Sequence, residues 1–197
     1  TNEIANLSSA KSAQLTTALT NGSNIRHSAA IDNDRSAIFT VENLINNDDT
    51  NETTSNNGNA IARYVQRTVT LADGQDAEDL KVFITAYKPS TANIKLYVKL
   101  LNGEDGESID DRTWLELTQT TSSTVVSDSE NRDDFREFEY GIPTASLTGA
   151  GGQVQYTTSA GVTYTGFKYF KIKAVLLSTS SSIVPRVTDF RAIALQI

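Results

Sequence analysis

At 197 residues the chain is long enough for one domain and an arm, and its net charge of −7 argues against nucleic acid, whose backbone is bound through Lys and Arg releasing counterions. The absence of cysteine rules out disulfides and thiolate metal sites, and no run of about 18 apolar residues is present to insert into a membrane as a helix. The hydrophobic fraction, 38%, is low for a fully packed chain, so part of the length is expected outside the core.

Residues 1–20 place Ile4, Leu7, Leu15 and Leu19 near one helical face, and Asn21-Gly22 supplies a stop. The pattern predicts a short helix within residues 2–20, too thinly apolar to stand alone and therefore docked on a partner or on the main domain, with a frayed linker as the alternative. A strand-like island follows at Ala37–Val41, and its Phe39 joins the four helix residues as an expected assembly contact. Residues 46–59, NNDDTNETTSNNGN, are expected to bury nothing. Residues 1–60 therefore read as a polar arm and residues 61–197 as a β domain. With no Met at position 1 or elsewhere, the chain is expected to be part of a longer product.

Beyond residue 60 the period changes to two. Leu80, Val82, Ile84 and Ala86 alternate with Lys81, Phe83, Thr85 and Tyr87, and Ile94, Leu96, Val98 and Leu100 alternate with Lys95, Tyr97 and Lys99. Each run predicts a strand with one dry face and one wet face. Further strands are expected at Ile61–Leu71, Trp114–Gln119, Phe135–Tyr140, Phe167–Leu177 and Val187–Ile197. A hairpin is expected from Val154–Tyr156 and Val162–Tyr164. The set predicts an all-β, antiparallel β-sandwich of jelly-roll type, with an immunoglobulin-like sandwich as the alternative.

Catalytic chemistry has little to work with. His27, the only histidine, lies in the polar arm, and the acidic residues cluster in loops, where they ordinarily solubilise. A non-enzyme without cofactors is expected. Glu104, Asp105, Asp110 and Asp111 form a weak Ca²⁺ candidate, because hard oxygen ligands are clustered on one loop; they lack the order of an EF-hand, and a solvated turn is the alternative. Tyr87, Tyr97 and Trp114 are candidates for a glycan-stacking or partner-binding surface, with burial as the competing expectation.

Residues 71–105 (LADGQDAEDLKVFITAYKPSTANIKLYVKLLNGED), Asp110-Asp111, Trp114, residues 135–140 (FREFEY) and residues 167–195 together resemble the C-terminal region of virion structural proteins from contractile-tailed bacteriophages, notably those infecting cyanobacteria. The resemblance spans residues 61–197. It implies a place in the virion tail or baseplate, contacts with other virion proteins in a homo-oligomer or multi-copy assembly, and no enzymatic role. A receptor-binding or glycan-binding module acting on the host surface is the alternative function.

Overall fold

The computed structural model describes residues 45–180 and 183–197. The expected helix with Ile4, Leu7, Leu15 and Leu19, the Phe39 island and His27 lie outside the described residues. Among the described residues the fold is all-β, and its helical content is one 3-10 turn at Thr144–Ser146.

Eleven strands follow one another. They are β1 (Ala62–Val65), β2 (Val69–Thr70), β3 (Asp79–Tyr87), β4 (Ala92–Leu101), β5 (Leu115–Glu116), β6 (Thr118–Gln119), β7 (Arg136–Gly141), β8 (Gln155–Thr157), β9 (Thr163–Thr165), β10 (Tyr169–Ser178) and β11 (Arg186–Leu195). One antiparallel sheet has the order β1-β10-β4-β5, with β2 also on β10; a second has the order β11-β3-β7-β6. β8 and β9 make the expected separate hairpin.

The alternation determines which faces meet. Leu80, Val82, Ile84 and Ala86 of β3 are fully buried, as are Ile94, Leu96 and Val98 of β4, and they share one core with Phe138 and Tyr140 of β7 and Phe170 and Ile172 of β10. Each Val, Leu, Ile or Phe among them contributes roughly 1.5–3 kcal/mol when buried, enough to fix the register, because a one-residue slip would turn the whole set outward. Between β5 and β6 the chain passes from one sheet to the other at Leu117, whose side chain is buried and whose N–H donates to the Leu96 carbonyl at 2.8 Å. This crossing closes one side of the pair of sheets. The remaining edges are β1 and β2 on the first sheet and β11 on the second.

Two sequence expectations need correction. The outer face of the first sheet is not wet: Tyr97, Lys99 and Lys173 are 1%, 2% and 3% exposed. Nor does the stretch 46–59 bury nothing, since Glu52 is 1% exposed. A single cause accounts for both, because the segment before β1 folds back over β10 and β4, so that residues 45–60 belong to the packed domain.

Candidate functional site

The covered face is a layer of alternating aromatic and cationic groups. Outward positions of β4 present Tyr97 and Lys99, and those of β10 present Lys173, Val175 and Leu177. Trp114, just before β5, and Ala60, just before β1, complete the apolar part. Lys173 lies 4.8 Å from the ring centres of both Tyr97 and Trp114, and Lys99 lies 5.0 Å from Trp114. Ring faces attract cations, more strongly once water is excluded.

The loop supplies the oxygen that these cations need. Lys173 Nζ donates to the Glu52 backbone carbonyl at 2.5 Å and to its carboxylate at 2.7 Å. The other carboxylate oxygen accepts from the Ala60 N–H at 3.0 Å, with Arg63 at 3.7 Å. Lys99 Nζ donates to the carbonyls of Ser55 at 3.1 Å and Asp110 at 2.6 Å. Backbone bonds hold the loop in register: Trp114 N–H donates to Thr53 at 2.8 Å, and Asn59 N–H to Thr50 at 3.0 Å. Asn51 takes a left-handed turn with φ 63°, which Asn tolerates better than most residues. Gly58 is required by packing, since a Cβ there would overlap the Glu52 carboxylate. Burial lowers the pKa values of Lys173 and Lys99, and the Glu52 carboxylate works against that fall at Lys173.

A different arrangement surrounds Lys88, at the end of β3. Lys88 is 8% exposed and lines a cleft of about 730 Å³ with Asn93, Gln119, Thr120, Thr121 and Ser122. Its ammonium donates to Gln119 Oε1 at 2.5 Å, has Asn93 Oδ1 at the outer limit of hydrogen bonding at 3.5 Å, and sits 4.8 Å from the Phe138 ring centre. The Gln119 amide is oriented by donating to the Thr121 carbonyl at 2.8 Å. Lys88 and Ser127 exchange hydrogen bonds of 2.9 and 3.0 Å, fastening the loop after β6 to the end of β3. Burial alone lowers the Lys88 pKa, with no carboxylate contributing.

The aromatic candidates are brought together only in part. Tyr97 and Trp114 share the covered face, whereas Tyr87 packs elsewhere with Ala92 and Ile183, its ring under the Arg186 guanidinium at 5.2 Å. All three are buried, at 3%, 1% and 8% exposed for Tyr87, Tyr97 and Trp114, so none offers a face to a sugar ring.

Of the four acidic loop candidates, Glu104 and Asp111 are exposed, and the other two have separate partners. Asp105 accepts from the Tyr156 hydroxyl at 2.8 Å, and Asp110 pairs with Lys171 at 2.8 Å. Among the described residues no group of three acidic or imidazole side chains is placed to hold a metal ion. Neighbouring Glu107 pairs with Arg112 at 3.0 Å, and the Arg112 guanidinium lies 4.1 Å from the Tyr156 ring centre, tying this loop to the β8–β9 hairpin.

Comparison with protein-family models, with curated proteins and with solved structures gives no match.

Proposed function

We propose that this chain is a non-enzymatic structural domain of a virion tail or baseplate, working through protein contacts. The resemblance of residues 61–197 supports the location. The pairing supports a jelly-roll reading of the fold: β3 and β4 are consecutive, β10 and β11 are consecutive, and the first pair lies antiparallel against the second across both sheets. Separate partners for Asp105, Glu107 and Asp110 fit a role without acid–base chemistry.

The observation that carries the assembly reading is β11. It is a ten-residue strand at the edge of its sheet, paired on one side by β3. Edges of this length recruit other strands unless blunted, and this one carries a bulge between Val187 and Asp189 together with Asp189 and Arg191, which are half exposed and bridged to each other at 2.8 Å, Arg191 also pairing with Glu137 of β7. Those charges deter most partners and suit one. In antiparallel pairing of two copies about Phe190, Asp189 of each faces Arg191 of the other, and Ile193, 47% exposed, lies on the same outward face. A two-fold contact of this kind is self-complementary.

A reconstruction of the intact particle tests the reading. It should contain this domain in multiple copies, with β11 edges meeting in pairs. A particle lacking the domain, or one in which every β11 edge faces solvent, overturns it.

A further inference from the structure

Lys88 differs from Lys173 in what surrounds its charge. Lys173 has a buried carboxylate at 2.7 Å, whereas the Lys88 ammonium meets two neutral amide oxygens, one of them at the limit of hydrogen bonding, and a ring face. Asn93 Oδ1 is in addition already accepting from the Ile94 N–H at 2.9 Å. An ammonium has three donors, and taking it out of water is costly unless an opposite charge compensates. The cleft beside it is open and roomy enough to admit that charge: its volume of about 730 Å³ lies inside the roughly 300–1,000 Å³ typical of small-molecule sites.

The rest of the lining specifies what else such a ligand carries. Asn93, Gln119, Thr120, Thr121 and Ser122 line it with amides and hydroxyls. The Thr120 hydroxyl donates to the Glu139 carbonyl, Thr121 Oγ1 accepts from the Glu139 N–H, Ser122 bonds Thr124 and both amide atoms of Gln119 are engaged, so what they offer a sugar hydroxyl is their second donor or acceptor site. The reciprocal bonds between Lys88 and Ser127 fix the wall of the cleft in advance, which reduces the ordering cost of binding. We propose that this cleft binds a carboxylate-bearing sugar of the uronic acid class, with Lys88 receiving the carboxylate and the neighbouring amides and hydroxyls receiving the ring hydroxyls. The site is independent of the β11 contact and involves none of Tyr87, Tyr97 or Trp114.

The test is NMR of the unaltered chain carrying ¹³C-labelled lysine, with Lys88 assigned through Lys88→Arg. D-glucuronate, D-glucose and acetate are titrated in turn at constant ionic strength. Glucuronate should shift the Lys88 ε-methylene signal and raise its titration midpoint, because a carboxylate at hydrogen-bond distance favours the charged amine. Glucose should leave the signal in place, and acetate should require a clearly higher concentration. Lys88→Gln should weaken glucuronate binding roughly tenfold or more, the effect of losing a charge-assisted hydrogen bond. A Lys88 signal unmoved by glucuronate, or moved equally by glucose or acetate at the same concentration, overturns the proposal, whether or not the variant folds.

Discussion

Lys173, in the middle of β10, gives its proton donors to both the backbone carbonyl and the carboxylate of Glu52, a residue 121 positions earlier in the chain. The pair is almost wholly enclosed, with side-chain exposures of 3% and 0%. Removing one member of such a pair leaves an uncompensated buried charge and typically costs about 3–5 kcal/mol, whereas replacing both by apolar groups of similar volume is often near neutral. Glu52→Gln should therefore lower the melting temperature substantially, towards the smaller end of that range, because an amide oxygen still accepts from Ala60. Glu52→Leu combined with Lys173→Met should recover most of the loss. Thermal unfolding of the unaltered chain, Glu52→Leu, Lys173→Met and the double variant checks this, with Glu52→Gln measured beside them, and a double variant as unstable as the sum of its parts would deny the coupling.

The same pair predicts a dependence on pH. Burial depresses the folded-state pKa of Lys173, and Glu52 holds it up against that effect. In Glu52→Gln the depression deepens, so the folded variant loses its proton at lower pH than folded wild type does. A base with a depressed folded value gains stability as pH rises from that value towards the unfolded value of 10.5. The deficit of Glu52→Gln should be largest near neutrality and narrow as pH climbs. Denaturant titrations at pH 7 and in mildly alkaline buffer check the sign; a deficit that widens on the alkaline side contradicts it.

Gly58→Ala probes the fit of the loop. The added methyl overlaps the Glu52 carboxylate, so either the loop lifts or the carboxylate moves off Lys173. Overpacking of this kind costs about 1–3 kcal/mol. Trp114, the only tryptophan of the chain and 8% exposed, stands over the same lysine, so its emission should shift to longer wavelength in this variant. A folded variant with native emission and native stability would show that the loop accommodates the methyl.

Two truncations isolate the contribution of the loop. A chain beginning at Ile45 keeps every contact described above, whereas one beginning at Ile61 strips the cover from Tyr97, Trp114, Val175 and Leu177 and leaves Lys173 without its acid. The second chain should unfold, or bind a hydrophobic dye strongly, under conditions where the first is folded. Equal stability of the two would return residues 45–60 to the status of a linker.

The strand pattern was legible because burial on the inner faces is decided locally. Leu80, Val82, Ile84 and Ala86 repeat with a period of two, and turn residues bound each run, so most strand positions follow with boundaries shifted by a residue or two. The strand expected over Ile61–Leu71 is instead two short ones, β1 and β2, and that over Trp114–Gln119 divides between the two sheets as β5 and β6. What covers an outer face is decided over long range. Lys99 and Lys173 fall on the polar register of their strands, and no local pattern says that an Asn-rich, Asp-rich and Thr-rich stretch lies on top of them. A signal did exist: Tyr97, Val175 and Leu177 share that register, and an outer face mixing bulky apolar groups with lysines needs a cover. Lys88 left no such trace. It precedes Pro89 at a strand end, and Gln119, its nearest partner, is 31 positions away.

The central claim, that the domain assembles through β11, is tested most directly by charge exchange at Asp189 and Arg191. In a two-fold pair centred on Phe190, Asp189→Arg alone or Arg191→Asp alone sets like charges opposite each other and should leave the chain monomeric. An equimolar mixture of the two single variants restores opposite charges at both positions. Sedimentation velocity should show dimer for the unaltered chain, monomer for each variant and dimer again for the mixture. An unaltered chain that remains monomeric at every concentration, or variants that associate as it does, would contradict the account.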